Sequence, residues 1–146
     1  MYEKHGWWFP DLDTHFVEML DKNIHKGFAP VYQEPVRNKS LRYVKKKGVA
    51  LDIGANIGLW SRDFAEHFEQ VIAFEPVSDF RDCLTKNVPT NNIDIRPCAL
   101  GAVDTTINMI VTEGNTGHSH VDSSTVGTGS IDMWRLDSLE FDCVDY

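Results

Sequence analysis

Two acidic residues and the glycine-rich turn between them are the part of this sequence whose residue types and spacing could do chemistry. Asp52 ends an apolar run and precedes Gly54, Asn56 and Gly58. Glu75 ends the next apolar run, 23 positions after Asp52. Glycine lets a backbone adopt positive φ and approach a ligand closely, and a helix that follows offers unpaired N–H groups and a positive dipole end. We therefore predict a small polar ligand at the carboxyl end of the first strand.

The glycine spacing and the first acid distinguish between two nucleotide cofactors. A pyrophosphate-binding turn carries three glycines as G-x-G-x-x-G, whereas Asp52 here precedes two glycines spaced by four positions. A carboxylate at this place repels a phosphate and attracts an ammonium group. Glu75 lies near the ~20-residue spacing at which an acid reaches a ribose diol. One acid for an amine and one for a ribose fit S-adenosylmethionine better than NAD.

Alternating strands and helices must position these residues. Apolar runs predict strands over 49–53 and 71–75, and the alternation of Ile93 and Ile95 predicts a third over 93–97. Two further strand-like runs follow at 105–111 and 130–136. A helix that opens near Gly58 places an apolar stripe on the sheet, which makes Trp60 a core residue and not an adenine platform. A second helix begins at Ser78 or Asp79 and turns three residues inward, Phe80, Cys83 and Leu84.

The remaining segments have weaker patterns. Residues 1–32 are predicted to be an irregular N-terminal arm with a short helix over 14–21, and its aromatic residues either pack on the domain or cover the ligand cleft. Residues 33–47 predict an amphipathic helix whose apolar residues are Val36, Leu41, Tyr43 and Val44. Residues 112–129 have turn chemistry throughout and predict a mobile loop or a distorted hairpin tip.

Three segments in order resemble one enzyme family. The phrase Asp-Ile-Gly-Ala-Asn-Ile-Gly at 52–58, followed by Ala-Phe-Glu-Pro at 73–76 and Cys-Ala-Leu-Gly at 98–101, is similar to the class I S-adenosylmethionine-dependent methyltransferases, in particular the FkbM-type family. The resemblance covers residues 41–146. It implies an α/β, Rossmann-like fold: a three-layer α/β/α arrangement with helices on both faces of a parallel central sheet of order 3-2-1-4. A hairpin-like excursion separates strands three and four, and the segment 141–146 approaches the fourth strand. The methyltransferase domain would occupy residues 33–146, after the arm at 1–32.

The resemblance also assigns candidate ligand residues. The cofactor-binding candidates are Asp52, Gly54, Ala55, Asn56, Gly58, Glu75, Pro76, Cys98, Ala99 and Leu100. Asn56 either bonds the ligand or holds the turn through its own backbone. The segment 98–100 either borders the adenine ring or is a plain exit from a strand. The implied acceptor is a hydroxyl on a sugar or another small molecule. No general base can be assigned; the candidates are His118, His120 and Asp137.

The last part of the sequence predicts an incomplete sheet. FkbM-type proteins continue with a strand that carries an acidic motif followed by Glu-Gly, and no segment here matches it. We therefore expect a cofactor-binding half that is incomplete on its C-terminal side. The strand over 49–53 would then be an open apolar edge, and such edges associate. This predicts a homodimer formed through that edge.

Composition narrows the possible partners and location. Fourteen basic and 22 acidic residues give a net charge of −8, which disfavours nucleic acid. No apolar run reaches the ~20 residues of a membrane span, and the first residues lack the apolar centre of a signal peptide. Three cysteines at no metal-like spacing predict reduced thiols, no metal site and a cytoplasmic location. Two alternatives stay open: a nicotinamide-dependent oxidoreductase and a non-catalytic interaction module.

Overall fold

The computed structural model of the protein describes residues 1–27 and 32–146. The strands and helices, in chain order, are β1 (Tyr2–Lys4), β2 (Trp7–Phe9), α1 (His15–His25), α2 (Glu34–Leu41), β3 (Val49–Ile53), α3 (Ser61–His67), β4 (Gln70–Phe74), α4 (Ser78–Asn87), β5 (Ile93–Arg96), β6 (Ala99–Leu100), β7 (Thr105–Ile110), β8 (His120–Asp122) and β9 (Ile131–Trp134). They form three separate sheets.

The N-terminal arm is more regular than predicted. His5 and Gly6 both adopt positive φ, 58° and 74°, and connect β1 and β2 into an antiparallel hairpin. Such a turn matches the twist of the two strands. The helix α1 is longer than the predicted segment 14–21 and buries the three residues expected on one face, Phe16, Val17 and Leu20. Residues 28–31 of the predicted arm lie outside the described residues.

A parallel sheet of order β3-β4-β5 positions the candidate site. Its strands match the first three predicted ones, and its register places Asp52 beside Ala73. The helices α3 and α4 connect the strands, as parallel pairing requires. Both strand ends that carry the predicted acids therefore lie at the same edge of the sheet.

The two faces of this sheet are covered differently. On one face, α3, α4 and the residue that follows each helix contribute Phe64, Phe68, Leu84 and Val88 to apolar clusters with strand residues. On the other face, Ile72, Phe74 and Cys98 are packed against four residues of the C-terminal segment, Leu100, Trp134, Leu139 and Phe141. The prediction of helices on both faces is therefore wrong for the described residues.

Three strands of the predicted order 3-2-1-4 are present, as β5-β4-β3, and no fourth strand is assigned beside β3 among the described residues. The strands after β5 form a separate mixed sheet of order β6-β9-β7-β8. Pro97 directly follows β5 and has no N–H to continue the ladder, so the chain leaves the first sheet there. The predicted loop at 112–129 contains β8, which pairs antiparallel with β7.

Residues at the C-terminus lie where the fourth strand was predicted. The Asp145 N–H donates to the Val49 carbonyl over 2.8 Å, and the Leu51 N–H donates to the Tyr146 carbonyl over 3.0 Å. The edge of β3 is thus partly covered, while Ile53 at its carboxyl end is 56% exposed. Association through this edge stays a prediction.

The helix α2 differs from the amphipathic helix predicted over 33–47. It ends at Leu41, and two of the predicted apolar residues, Val36 and Tyr43, are exposed. The buried residue is Arg37, whose Nε lies 2.8 Å from Asp63 Oδ2. An ion pair therefore anchors this helix where an apolar stripe was expected.

Candidate functional site

A cavity of about 480 Å³ lies at the carboxyl ends of β3 and β4. The ends of the strands and the turn after β3 line one part of it. Residues from α1 and from the segment after β7 line another. The lining includes Phe16, Tyr32, Asp52, Gly54, Asn56, Trp60, Glu75, Phe80, Met109, Thr116, Gly117 and Ser119. Ala55 and Pro76, two further predicted residues, also line it.

The glycine turn approaches this cavity through Gly54. Gly54 has φ of 76°, and a Cβ built on it would meet no atom within 4 Å. Its N–H donates to the Phe74 carbonyl over 2.9 Å, which ties the turn to β4. The open space beside Gly54 gives a ligand close access to the backbone.

Gly58 has a packing role in the structure, whereas the sequence predicted a position at a helix opening beside the ligand. A Cβ on Gly58 would lie 2.5 Å from Leu84 Cδ1, and its φ is 88°. Gly58 is not among the described residues that line the cavity. The helix α3 begins at Ser61, later than the predicted opening at Gly58. Close packing against α4 is therefore the reason for this glycine.

Glu75 is buried, with 4% of its surface exposed. Its Oε2 accepts a hydrogen bond from the Asn56 N–H and its Oε1 accepts one from the Val77 N–H, both over 2.8 Å. Burial raises the pKa of Glu75 from 4.5 to about 6, and the two amide hydrogen bonds oppose this rise. At neutral pH the carboxylate is therefore mostly ionised.

Asp52 faces the same cavity. The Ser61 hydroxyl donates to Asp52 Oδ2 over 2.6 Å. Burial raises the pKa of Asp52, and hydrogen bonds from Ser61 counteract this. The charge of Asp52 also raises the pKa of Glu75, as expected for two acids that share one site. The sequence prediction that these two acids lie together agrees with the structure.

The charged residues in the described lining of the cavity are all acidic. Asp52 and Glu75 are its acidic residues, and none of the described lining residues is basic. Four aromatic side chains complete the lining, Phe16, Tyr32, Trp60 and Phe80. Carboxylates and aromatic faces both attract cations. The cavity is suited to a ligand that carries positive charge and hydrogen-bond donors.

Asn56 holds the turn in this structure. It adopts a left-handed conformation with φ of 51°, and its Oδ1 accepts from the Ile57 N–H over 2.8 Å. Its Nδ2 lies 3.5 Å from Thr116 Oγ1. Of the two roles left open by the sequence, the turn-holding role is seen directly, and a bond to the ligand stays a prediction.

The segment 98–100 lines a second, smaller cavity of about 240 Å³. The two cavities adjoin, because Ile53, Gly54 and Pro76 line both. Cys98 is 1% exposed, and burial raises the pKa of its thiol, which makes it unreactive. Residues 98–100 therefore line the adjoining cavity and not the larger one, and their contact with an adenine ring stays a prediction.

Sequence reasoning missed the part of the lining that comes from distant segments. Phe16 was predicted only as a residue on the buried face of the first helix, and no local pattern marks Met109 or Thr116; all three reach the cavity through tertiary packing. Trp60, predicted to be core, is half-buried at the cavity, and its indole N–H donates to Gln33 Oε1 over 3.2 Å.

The candidate bases lie apart from the larger cavity. His118, His120 and Asp137 are exposed, and only His120 lines the smaller cavity. Among residues 1–27 and 32–146, no cluster of His, Cys, Asp and Glu could hold a metal. No helix in that part of the chain is long and apolar enough to cross a bilayer.

Comparisons with known proteins give weak similarities. No family model and no curated protein matches the sequence. Among solved structures, DhpI in complex with SAH has 19% identity and a TM-score of 0.39 over 43% of this chain and 30% of that chain. A DhpI complex with SAM and HEP has 18% identity and a TM-score of 0.38 over 65% of this chain and 44% of that one.

A third solved structure is phosphoethanolamine N-methyltransferase 1 of Haemonchus contortus with phosphoethanolamine and S-adenosylhomocysteine. It has 23% identity and a TM-score of 0.37 over 48% of this chain and 16% of that chain. The chain thus spans less than half the length of each of the three. At these values the likeness assigns neither a family nor a function to this chain, so the functional argument rests on the cavity.

Proposed function

We propose that this chain binds S-adenosylmethionine in the cavity at the ends of β3 and β4, as the cofactor-binding part of a methyltransferase. One observation carries the proposal. The carboxylates of Asp52 and Glu75 face one cavity that has no basic residue in its described lining. A dinucleotide with a pyrophosphate would meet two acids and no cation there, whereas an aminoacyl nucleoside brings an ammonium group and a ribose diol.

The hydrogen-bonding capacity of Glu75 supports a diol. A carboxylate has about four lone-pair sites, and the Asn56 and Val77 amides occupy one site on each oxygen. Each oxygen therefore keeps capacity for a further donor, which two neighbouring ribose hydroxyls would fill. The same amides hold the carboxylate in one orientation, so little ordering is left for the ligand to induce.

Asp52 and Gly54 support the methionine part of the ligand. Asp52 is ionisable and next to the turn, where it can pair with an ammonium group. Gly54 leaves the backbone open to close approach. S-adenosylmethionine supplies a methyl group already activated on a sulfonium. The protein then has to hold the acceptor in line, at ~3 Å from the methyl group, and exclude water.

The finer parts of the proposal come from the family resemblance, from the cysteine usage and from the open edge of β3. We propose an FkbM-type enzyme that methylates a hydroxyl of a sugar or another small molecule, acts in the cytoplasm and forms a homodimer. The aromatic lining of the cavity is compatible with an acceptor that stacks on a flat side chain. No residue is assigned as the general base.

Calorimetry of ligand binding tests the proposal. S-adenosylmethionine and S-adenosylhomocysteine should bind the wild-type chain, and Glu75→Ala should weaken binding by about 1–3 kcal/mol, because a buried polar partner is lost. Asp52→Asn keeps the hydrogen bond from Ser61 and should weaken the binding of S-adenosylmethionine, because the negative charge is lost. Asp137→Asn, an exposed acid away from the cavity, is the matched control.

Two outcomes would support another function. A rise in NADH fluorescence on titration, without binding of S-adenosylmethionine, would favour the oxidoreductase. No binding of either ligand at millimolar concentration would contradict the cofactor role and favour an interaction module.

A further inference from the structure

Asp13 is a fully buried carboxylate above the cavity, where three hydrogen bonds stabilise it. Its Oδ1 accepts from the Phe16 N–H over 2.9 Å. Its Oδ2 accepts from the Thr116 N–H over 3.1 Å and from the Thr116 hydroxyl over 2.6 Å. Asp13 is 0% exposed and Thr116 is 1% exposed. No ion pair involves Asp13 among the described residues.

This pair joins two segments that both line the cavity. Asp13 and Thr116 are 103 positions apart in sequence. Asp13 is followed by α1, which carries Phe16, and Thr116 is followed by Gly117 and Ser119. A Cβ on Gly117 would lie 3.0 Å from Phe16 Cζ, so the two segments are in close contact beside the cavity. We name these two segments, residues 13–16 and 116–119, the roof.

The roof also contacts the turn that holds the candidate ligand acid. Thr116 Oγ1 lies 3.5 Å from Asn56 Nδ2, and the Asn56 N–H donates to Glu75. The Thr14 and His15 N–H groups also donate to the Gly114 carbonyl, over 3.3 and 2.9 Å, and connect the start of α1 to the chain just before Thr116. The geometry of the roof is therefore connected to the geometry of the turn.

We propose that Asp13 and Thr116 are positioning residues that hold the roof closed over the cavity, and that binding of the cofactor depends on this closure. The inference rests on the proposed function and extends it, because it makes the N-terminal segment a part of the ligand site. A buried carboxylate is costly unless every oxygen is hydrogen-bonded. The Asp13 carboxylate is therefore stable only where its hydrogen-bond donors lie at fixed positions. This restricts the roof to one arrangement, whereas apolar packing alone would allow several.

Matched threonine variants separate positioning from general packing. Thr116→Val keeps the side-chain shape and removes the donor to Asp13, whereas Thr116→Ser keeps the donor. Thr128→Val is the control, since the Thr128 hydroxyl is exposed and only donates to the Thr125 carbonyl, over 3.3 Å. In calorimetry with S-adenosylhomocysteine, Thr116→Val should raise Kd about tenfold, and the Ser and control variants should stay within about twofold of wild type.

Amide hydrogen exchange of the wild-type chain gives a readout that needs no variant. Saturating S-adenosylhomocysteine should slow the exchange of the Phe16 and Thr116 amides, because both donate to Asp13 in the closed roof. In the free chain these two amides should exchange faster than the Val71 amide, which donates to the Asn92 carbonyl in the parallel sheet, because the roof opens locally. A roof with a structural role alone would keep that local exchange rate when the ligand binds, since a ligand slows only the openings that release it. That result would overturn the inference even where Thr116→Val failed to fold.

The possible failures are distinguishable. A wild-type chain that binds no S-adenosylhomocysteine would overturn the proposed function, and this inference with it. A wild-type chain that binds, together with a folded Thr116→Val that binds equally well, would overturn only the inference about the roof.

Discussion

The backbone N–H of Asn56 donates to Glu75 Oε2 over 2.8 Å and joins the turn after β3 to the end of β4. This bond forms because Asn56 takes a left-handed conformation, with φ of 51°. The strands place the two segments side by side, and the conformation of the turn directs the Asn56 N–H towards the buried Glu75 carboxylate. The orientation of Glu75 towards the cavity thus depends on the conformation of this turn residue, together with the bond from the Val77 N–H to Glu75 Oε1.

Asn56→Gly and Asn56→Ala should therefore differ. Glycine adopts positive φ without penalty, whereas alanine pays about 1–2 kcal/mol for a left-handed conformation. We expect Asn56→Ala to lower the free energy of unfolding by roughly 1 kcal/mol more than Asn56→Gly. Asn56→Ala should also weaken the binding of S-adenosylhomocysteine more than Asn56→Gly does. Urea denaturation and calorimetry of both variants provide the measurement. Equal values for the two would contradict the role given to the backbone conformation.

The raised pKa of Glu75 predicts a pH-dependent stability. Because the pKa rises from 4.5 in the unfolded chain to about 6 in the fold, the protonated form is favoured in the fold. This contribution to the free energy of unfolding is complete below the unfolded pKa and is lost as the pH rises through about 6. It amounts to about 2 kcal/mol. Glu75→Gln cannot ionise, so its stability relative to wild type should improve by that amount between about pH 4 and about pH 7.5.

Chemical denaturation at several pH values measures this difference. Glu69→Gln is the control, because Glu69 is exposed and outside the cavity. A Glu75→Gln curve that runs parallel to wild type across this range would show that burial does not raise the pKa of Glu75.

Three glycines with positive φ should respond differently to alanine. Gly58→Ala adds a Cβ 2.5 Å from Leu84 Cδ1 and should cost about 2–4 kcal/mol of stability through overpacking and strain. Gly54→Ala has open space around its Cβ and should cost only the conformational penalty of about 1–2 kcal/mol. The added methyl group would project beside the ligand. Gly54→Ala should therefore weaken the binding of S-adenosylhomocysteine by more than its loss of stability alone explains.

Gly6 provides the matched control for the glycine series. Its φ of 74° and its lack of neighbours within 4 Å match Gly54, but it lies in the hairpin turn away from the cavity. Gly6→Ala should lose similar stability and no affinity. If Gly6→Ala and Gly54→Ala reduced affinity equally, Gly54 would not be close to the ligand.

Local patterns predicted the parallel sheet well. Continuous apolar runs marked β3 and β4 nearly to the residue, as buried parallel strands need, and the alternation of Ile93 and Ile95 marked β5. Asp52 and Glu75 were predicted to meet for the same reason, because parallel strands bring their carboxyl ends to one edge.

The rest of the site depends on long-range contacts that no periodicity encodes. The bond from Thr116 to Asp13 joins two segments without a repeating pattern, so the roof could not be predicted from sequence. The position of Arg37 shows the same limit. An amphipathic pattern placed Val36 on the buried side of α2, whereas in the structure Val36 is exposed and Arg37 is buried in an ion pair with Asp63. Pro97 was visible in the sequence, but its effect on sheet order follows only once the neighbouring strands are known.

Tyr146 anchors the segment that covers the edge of β3. Its ring centroid lies 4.8 Å from that of Phe64, and its hydroxyl is 2.7 Å from Ser40 Oγ. Tyr146→Ala removes both contacts and should lower the free energy of unfolding by about 1–3 kcal/mol, less than for a fully buried aromatic residue. Tyr146→Phe keeps the ring and should lose about 0.5–1.5 kcal/mol, the net worth of one hydrogen bond.

The same variant tests association through the β3 edge. With Tyr146 detached, the amide of Leu51 loses its partner and the edge is bare, so Tyr146→Ala should self-associate more strongly than Tyr146→Phe. Light scattering over a concentration series measures this. The wild-type chain should already form a dimer through the uncovered end of the strand at Ile53. A monodisperse wild-type species of 16.6 kDa would contradict that dimer. Equal association of the two variants would contradict the covering role of Tyr146.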